Sequence, residues 1–150
     1  MADAGELYTP EVLAHNRRPH NRGAPAAANR RADGDNPQCG DKLTLYLDLR
    51  CGVIRDAGFE GSACAIAVAS ASMLTDALKG LTVEGAEDLL RRLDQMFGAA
   101  ADGNWEGDGL RGLDVLAGVR HYPARMECAN LAWHTLATAL GKTAAITWPF

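Results

Sequence analysis

Residues 43–59, LTLYLDLRCGVIRDAGF, decide the fold of this chain. Leucine stands at every second position of the first seven residues, and this period of two predicts a half-buried β-strand. Residues 53–59 alternate in the same way, and a short link containing Gly52 joins the two segments. Two adjacent strands with such a link predict a β-hairpin. A third strand is expected beside it, either at residues 60–63 or just before Leu43.

Helical patterns lie on both sides of this hairpin. Thr9 as N-cap and Pro10 at the first helical position predict a short helix over residues 7–17. From Ala65 onwards the apolar spacing becomes that of a helix, which is expected to end at Gly80. Three more helices are predicted, at residues 83–97 with Thr82 as cap, at 113–119 and at about 125–140. Strands followed by helices predict an α+β fold, in which a small antiparallel sheet of about three strands packs against several helices.

Two segments without such periodicity are predicted to be connections within a single domain over residues 1–150. Residues 24–37 are rich in Ala, Asn, Arg, Asp and Gly, and they predict a mobile loop. Residues 98–109 predict a second connection, rich in Gly, Asp and Asn.

The charge balance and the hydropathy pattern exclude several classes of partner. Fifteen Lys and Arg against nineteen Asp and Glu give a formal net charge of −4, so no basic patch for nucleic acid is expected. The first residues carry no basic segment followed by an apolar one, and we expect no secretory signal. The most apolar stretch, residues 63–69, is far shorter than the roughly 20 residues of a membrane span. We therefore predict a cytoplasmic protein with no nucleic-acid or membrane partner.

Four cysteines need an explanation: Cys39, Cys51, Cys64 and Cys128. No two of them have the C-x-x-C spacing of a zinc finger or a redox motif. Cys64 is predicted at the junction between the hairpin and the following helix, and Cys128 in the first turn of the last helix. The partial positive charge of a helix N-terminus favours a thiolate. Cys51 lies at the predicted hairpin turn, and we interpret it as a spectator thiol.

A carboxylate accompanies the first of these thiols. Cys39 is followed by Gly40 and Asp41, and the glycine lets the chain bend so that thiolate and carboxylate face one point. Together with the thiolates of Cys64 and Cys128, this pair would complete a tetrahedral Zn²⁺ site. The spacing alone leaves a simpler interpretation open, in which the cysteines are small buried core residues.

Five motifs occur in order along nearly the whole chain: HNRRPHN at 15–21, NPQCGD at 36–41, GFEGSACAIA at 58–67, ASASMLT at 69–75 and YPARMECA at 122–129. Together they resemble the SufU/IscU/NifU N-terminal family of iron–sulfur cluster assembly proteins. Two features resemble the SufU branch in particular. Glu127 stands where IscU-type scaffolds carry a histidine, and residues 98–119 look like the insertion that SufU proteins carry.

The resemblance implies a metal site at one end of the sheet, in which Cys39, Asp41, Cys64 and Cys128 bind one zinc ion per chain. It also implies that Cys39 accepts persulfide sulfur from a SufS-type cysteine desulfurase, for use by downstream cluster-assembly proteins or apo-proteins. The chain would then be a sulfurtransferase-like relay that stimulates the desulfurase, rather than a stand-alone enzyme. The alternative within the family is a scaffold that assembles a [2Fe–2S] cluster on the same cysteines and passes it to apo-proteins.

Several residues near these motifs have two interpretations. Arg125 is a candidate for steering the anionic persulfide or a solvated arginine at a helix start. Glu127 is a candidate metal ligand, but a carboxylate that stabilises the helix N-terminus is favoured. Ala63 stands where the family carries glycine, so the backbone of that loop is expected to differ slightly. His15 and His20 are more typical of surface or capping groups than of metal ligands.

Overall fold

The computed structural model of the chain describes residues 9–36, 40–98 and 113–141. The elements in these ranges are helix α1 (Pro10–Arg17), strands β1 (Arg30–Asn36), β2 (Asp41–Arg50) and β3 (Val53–Ser62), helices α2 (Ala65–Leu78) and α3 (Val83–Gly98), a 3₁₀ helix (Leu113–His121) and helix α4 (Pro123–Ala139). The three strands form one antiparallel sheet in the order β1-β2-β3. The predicted α+β fold class is therefore confirmed. None of the described helices is long and apolar enough to cross a membrane.

The hairpin predicted from the alternating leucines is formed by β2 and β3. Leu45 is paired with Phe59 in the register, and both side chains are buried in the core. Cys51 and Gly52 make the turn with φ of +51° and +75°. Two successive residues with positive φ are what a tight hairpin turn requires, because this turn matches the right-handed twist of the strands.

The prediction of a loop over residues 24–37 is wrong for part of this range. Residues 30–36 form the edge strand β1. This strand pairs with β2 along its whole length, from Arg30 opposite Leu47 to Asn36 opposite Asp41. Its sequence, RRADGDN, contains no β-branched or aromatic residue, so local propensity gave no strand signal. Pairing with β2 and packing against α4 form the strand despite this composition.

One position shows how closely α4 lies on β1. A Cβ atom at Gly34 would overlap the Oγ1 atom of Thr135 on α4. Glycine is therefore required at this point of the strand, for the close approach of the helix and not for a special backbone angle.

The helices cover one face of the sheet. Helix α4 packs on β1 and β2, α2 packs on β3 and α4, and α1 packs on α2. Twelve of the 14 residues of α2 are buried, so this helix runs through the middle of the core. Thr9 caps α1 as predicted, since its Oγ1 accepts a hydrogen bond of 3.3 Å from the backbone N–H of Val12.

Two helices near the C-terminal motif were predicted, and the structure adds the helix type of one and corrects the first residue of the other. The helix expected at residues 113–119 is confirmed as a helical segment, of the 3₁₀ type, from Leu113 to His121. Helix α4 begins at Pro123, two residues before the predicted start, because proline is well suited to the first helical position. Most of the predicted connection at 98–109 lies outside the described residues.

Candidate metal centre

Three side chains from three different elements meet at one end of the sheet. Asp41 is the first residue of β2, Cys64 immediately precedes α2, and Cys128 lies on α4. Each offers one ligand atom, and these atoms all lie within 4.8 Å of one another. The packing of α2 and α4 against the sheet thus brings together a carboxylate and two thiols that are 23 and 64 residues apart along the chain.

Asp41 is the most constrained member of this cluster. Its side chain is buried, with 4% of the residue exposed. Oδ1 accepts a hydrogen bond of 2.9 Å from the backbone N–H of Cys64. Oδ2 is also buried, but it has no hydrogen-bond partner among the described residues. A buried carboxylate oxygen without a partner is unfavourable, and a bound cation would supply the missing interaction. The cluster therefore fits a metal ion.

Cys64 occupies the N-cap position of α2. Its backbone is extended, with φ −67° and ψ 168°, and its side chain makes no capping hydrogen bond. A cap residue such as serine would use its side-chain oxygen to satisfy a backbone N–H of the first turn. Since the Cys64 thiol does not, its sulfur is available to a ligand next to the positive end of the helix dipole.

The preceding residue, Ala63, does not strain this loop. Ala63 is not among the described residues with positive φ, whereas Gly61 has a φ of +140°. The conformational freedom of glycine is thus used two residues earlier, near the end of β3, and the alanine is accommodated.

Cys128 lies deeper in the helix than the sequence predicted. Because α4 begins at Pro123, Cys128 is its sixth residue and belongs to the second turn. The residue is fully buried, and its Sγ lies 3.6 Å from the carbonyl oxygen of Ala124. The influence of a helix dipole falls off beyond the first turn. A thiolate at this position therefore depends on a nearby cation more than on the helix N-terminus.

The other predicted site residues are placed as follows. Cys39 lies outside the described residues. Arg125 and Glu127 are half-buried on α4, and the Glu127 carboxylate does not join the cluster of three ligand atoms. Cys51 is exposed at the hairpin turn. It follows Asp41 by ten residues of strand, which corresponds to about 30 Å.

A second cluster lies near the other end of α2, and reading its histidines one by one missed it. His15, His20 and Asp76 also have ligand atoms within 4.8 Å of one another. Burial, and then the neighbouring His20, lower the pKa of His15. Burial opposes the ionisation of Asp76, but hydrogen bonds from His20 and Asn21 outweigh it and lower the pKa of that carboxyl. The sequence did contain one signal for a shared site, because His15 and His20 belong to the same motif at residues 15–21.

A small three-stranded sheet that carries helices on one face and a carboxylate–thiol cluster at its end defines a class of compact metal-binding domain. Residues 7–101 match the family described as NifU-like N terminal domain, and the chain belongs to that family. This confirms the resemblance inferred from the five motifs.

Named relatives and solved structures extend the comparison over nearly the whole chain. The zinc-dependent sulfurtransferase SufU of Bacillus subtilis is 35% identical over 142 residues, which cover 94% of each chain. The iron-sulfur cluster assembly scaffold protein IscU of Thermotoga maritima is 38% identical over 73% of this chain and 75% of its own length. A crystal structure from Fervidobacterium islandicum, described as an iron-sulfur cluster assembly scaffold protein for the SUF system (FiSufU), superposes with a TM-score of 0.83, at 27% identity, over 92% of this chain and 99% of that one.

Proposed function

We propose that this protein is a zinc-dependent sulfur-transfer protein that accepts persulfide sulfur from a SufS-type cysteine desulfurase for iron–sulfur cluster assembly. The observation that carries the proposal is the cluster of Asp41, Cys64 and Cys128, in which one buried carboxylate oxygen has no hydrogen-bond partner among the described residues. The similarity to a relative named zinc-dependent sulfurtransferase, over 94% of the chain, supports it.

In this proposal Cys39 is the fourth ligand of one zinc ion per chain. Only Gly40 separates it from Asp41 in the sequence, so chain connectivity keeps the two Cα atoms within about 7 Å. The thiols of Cys64 and Cys128 and the carboxylate of Asp41 have their candidate ligand atoms within 4.8 Å of one another, and zinc accepts such mixed sets in tetrahedral geometry. Zinc has no redox chemistry of its own, and when bound it keeps cysteine ligands deprotonated without oxidising them.

Cys39 is also the proposed sulfur acceptor. Its thiolate attacks the outer sulfur of the persulfide on the desulfurase, and a new S–S bond forms at Cys39 Sγ. The S–S bond within the desulfurase persulfide breaks, and the desulfurase cysteine leaves as a thiolate. The exchange needs no external oxidant or reductant, because one persulfide is consumed and one is formed.

The surroundings of the cluster are consistent with this role. Cys64 is half-buried and Cys128 is buried, so a partner protein reaches neither thiol easily, and the proposal assigns the acceptor role to Cys39. Arg125, half-buried on α4 three residues before Cys128, is the proposed cation that steers the anionic persulfide. Glu127 is assigned a supporting electrostatic role near the start of α4. Free thiols that must stay reduced favour a location in the cytoplasm.

The test is a desulfurase assay with purified protein. Wild-type protein is expected to stimulate alanine release from cysteine by a SufS-type desulfurase, and Cys39→Ala is expected to abolish the stimulation. Cys51→Ala is the matched control, since Cys51 is an exposed thiol at the far end of the hairpin. It should stimulate as the wild type does. Full stimulation by Cys39→Ala would disprove the acceptor role.

A second candidate function is the assembly of a [2Fe–2S] cluster on the same residues, because other relatives of similar identity are named IscU scaffold proteins. Metal analysis of the protein purified without oxygen separates the two functions. About one zinc per chain without iron supports the sulfur relay. Iron with acid-labile sulfide, not displaced by zinc, supports the scaffold instead.

A further inference from the structure

The cluster of His15, His20 and Asp76 lies far from the first metal centre. Asp76 is on the last turn of α2, twelve residues after Cys64. At 1.5 Å per residue, this places the carboxylate about 18 Å further along the helix axis. His15 is in the last turn of α1, and His20 follows in the segment that leads from α1 to the sheet. The two centres therefore cannot share an ion.

The two imidazole rings converge on the same carboxylate. His20 Nδ1 lies 2.5 Å from Asp76 Oδ2. The centroids of the His15 and His20 rings are 4.6 Å apart, with the rings tilted by 52°. Two imidazoles and one carboxylate are a ligand set that suits divalent ions of borderline softness, from Fe²⁺ to Zn²⁺.

The residues around the cluster hold its members in place. Asn21 donates a hydrogen bond of 2.8 Å to Asp76 Oδ1, the carboxylate oxygen that does not face His20. Ser72 Oγ lies 2.7 Å from His15 Nδ1 and accepts a hydrogen bond of 2.8 Å from the backbone N–H of His20. Hydrogen bonds of this kind orient metal ligands and fix the tautomer of a ligating histidine.

A purely structural role explains only part of this arrangement. One ion pair between His20 and Asp76 is sufficient to tie the segment after α1 to α2, and an exposed pair of this kind contributes little to stability. It does not require a second imidazole beside the first. The side chains of His20 and Asp76 are 55% and 42% exposed, so an ion can reach them from solvent.

We propose that His15, His20 and Asp76 form a second metal site, which binds one divalent transition-metal ion through two imidazoles and a carboxylate. Asn21 and Ser72 are its positioning residues. Three protein ligands leave coordination positions for water, so the site is an exchangeable one at the surface. It lies apart from the buried cluster, and it has two imidazoles where that cluster has two thiols.

The test uses Co²⁺ as the probe on full-length protein whose buried cluster already holds its metal. After dialysis against Co²⁺, the wild type is expected to retain one Co²⁺ per chain without thiolate-to-cobalt charge-transfer absorption. Asp76→Asn and His20→Ala are expected to lose this ion. Asn21→Ala is expected to weaken its binding by about 10- to 100-fold, the usual effect of removing an outer hydrogen-bond partner.

His134→Ala is the matched control, because His134 is an exposed histidine on α4 outside the cluster. It should retain Co²⁺ as the wild type does, and thermal unfolding of each variant checks that it is folded. Equal Co²⁺ retention by the wild type and the folded Asp76→Asn variant would overturn the proposal. So would cobalt that is bound in the wild type only with the thiolate absorption, since that ion would be in the buried cluster.

Discussion

The two ends of α2 each bring an aspartate together with metal-binding side chains, but the two aspartates are satisfied differently. Asp41, beside the start of the helix, is buried, and one of its carboxylate oxygens has no partner within residues 9–36, 40–98 and 113–141. Asp76, near the end of the helix, is exposed, and both of its oxygens have partners in Asn21 and His20. The first site is incomplete without a cation, whereas the second is already satisfied by protein groups.

This difference implies that metal binding contributes differently to folding stability at the two sites. At the buried cluster, an ion supplies an interaction that the folded protein otherwise lacks, so its binding free energy adds to the stability of the fold. At the exposed cluster, an ion must replace the contact between His20 and Asp76, so its binding is weaker and adds less. The same residue type therefore has a different energetic role at each end of one helix.

The largest expected effect comes from replacing Asp41 with asparagine. The same replacement at Asp76 serves as the comparison. Asp41→Asn keeps a side-chain oxygen for the Cys64 N–H but removes the charged ligand atom. Loss of a ligand should lower zinc affinity by at least about 100-fold, which is about 2.8 kcal/mol. The difference in melting temperature between the metal-loaded and the chelator-treated protein should shrink accordingly.

Asp76→Asn is the comparison, and it should reduce this difference in melting temperature much less than Asp41→Asn does, because an ion at the exposed cluster adds less stability. If Asp41→Asn preserved the full difference, Asp41 would not be a ligand. The contrast between the two ends of α2 would then be wrong.

A smaller effect is expected from the contact that positions Cys128. In Gly34→Ala, the new methyl group overlaps Thr135 Oγ1 and pushes α4 away from β1. Overpacking of this kind costs about 1–3 kcal/mol of unfolding free energy. Because Cys128 is on the same helix, zinc affinity should also fall, which a competition titration with a chelator measures.

A double-mutant cycle checks that this particular contact is responsible. Thr135→Ala removes the oxygen that the new methyl group would meet. The double variant should therefore be more stable than the sum of the two single changes predicts. Strict additivity would show that the loss arises elsewhere in the strand.

The smallest effect is expected at two aspartates of α3. They again compare a partly buried carboxylate with one that is held by hydrogen bonds, here with no metal involved. Burial raises the pKa of Asp94 above that of the unfolded chain. The ionised form is therefore disfavoured in the fold, and this group lowers stability as the pH rises above the range in which the unfolded chain titrates. Asp94→Asn should stabilise the protein at neutral pH by roughly 0.5 kcal/mol.

Asp88 supplies the opposite sign on the same helix. The hydrogen bond from Arg92, with the further charge of Arg91, lowers the pKa of Asp88. The folded state thus favours the carboxylate, so its contribution is present at neutral pH and is lost as the pH falls through the lowered value. Chemical denaturation at neutral and acidic pH should show Asp88→Asn as slightly destabilising. If both variants shifted stability in the same direction, burial would not be the cause at Asp94.

The sequence predicted those parts of the fold that have a local signal. The alternation of leucines in β2 and the cap at Thr9 were sufficient to place the hairpin and α1. A third strand was expected, but its position at Arg30–Asn36 was missed because RRADGDN has a loop composition and its pairing with β2 is a tertiary effect. The start of α4 was placed two residues late, which moved Cys128 into the wrong turn.

The motifs that contain Asp41, Cys64 and Cys128 predicted a shared metal site, and the structure brings these three side chains into one cluster. The sequence could not give the burial of Asp41 or its unpartnered oxygen, since both depend on how α2 and α4 close over the end of the sheet. The cluster at Asp76 was missed for the same reason. Its histidines share one motif, but Asp76 lies on α2 more than 50 residues further on, and no spacing along the chain connects it to them.

Helix α2 has twelve buried residues among its 14, and this has a consequence for the timescale of opening. A helix with one face in solvent can fray by itself, but α2 cannot unwind without exposing apolar surface of β3, α1 and α4. Its amide protons are therefore expected to exchange with solvent only through the rarest, most global opening of the molecule. A cysteine at one end of such a helix and an aspartate at the other keep their positions for as long as the whole domain stays folded.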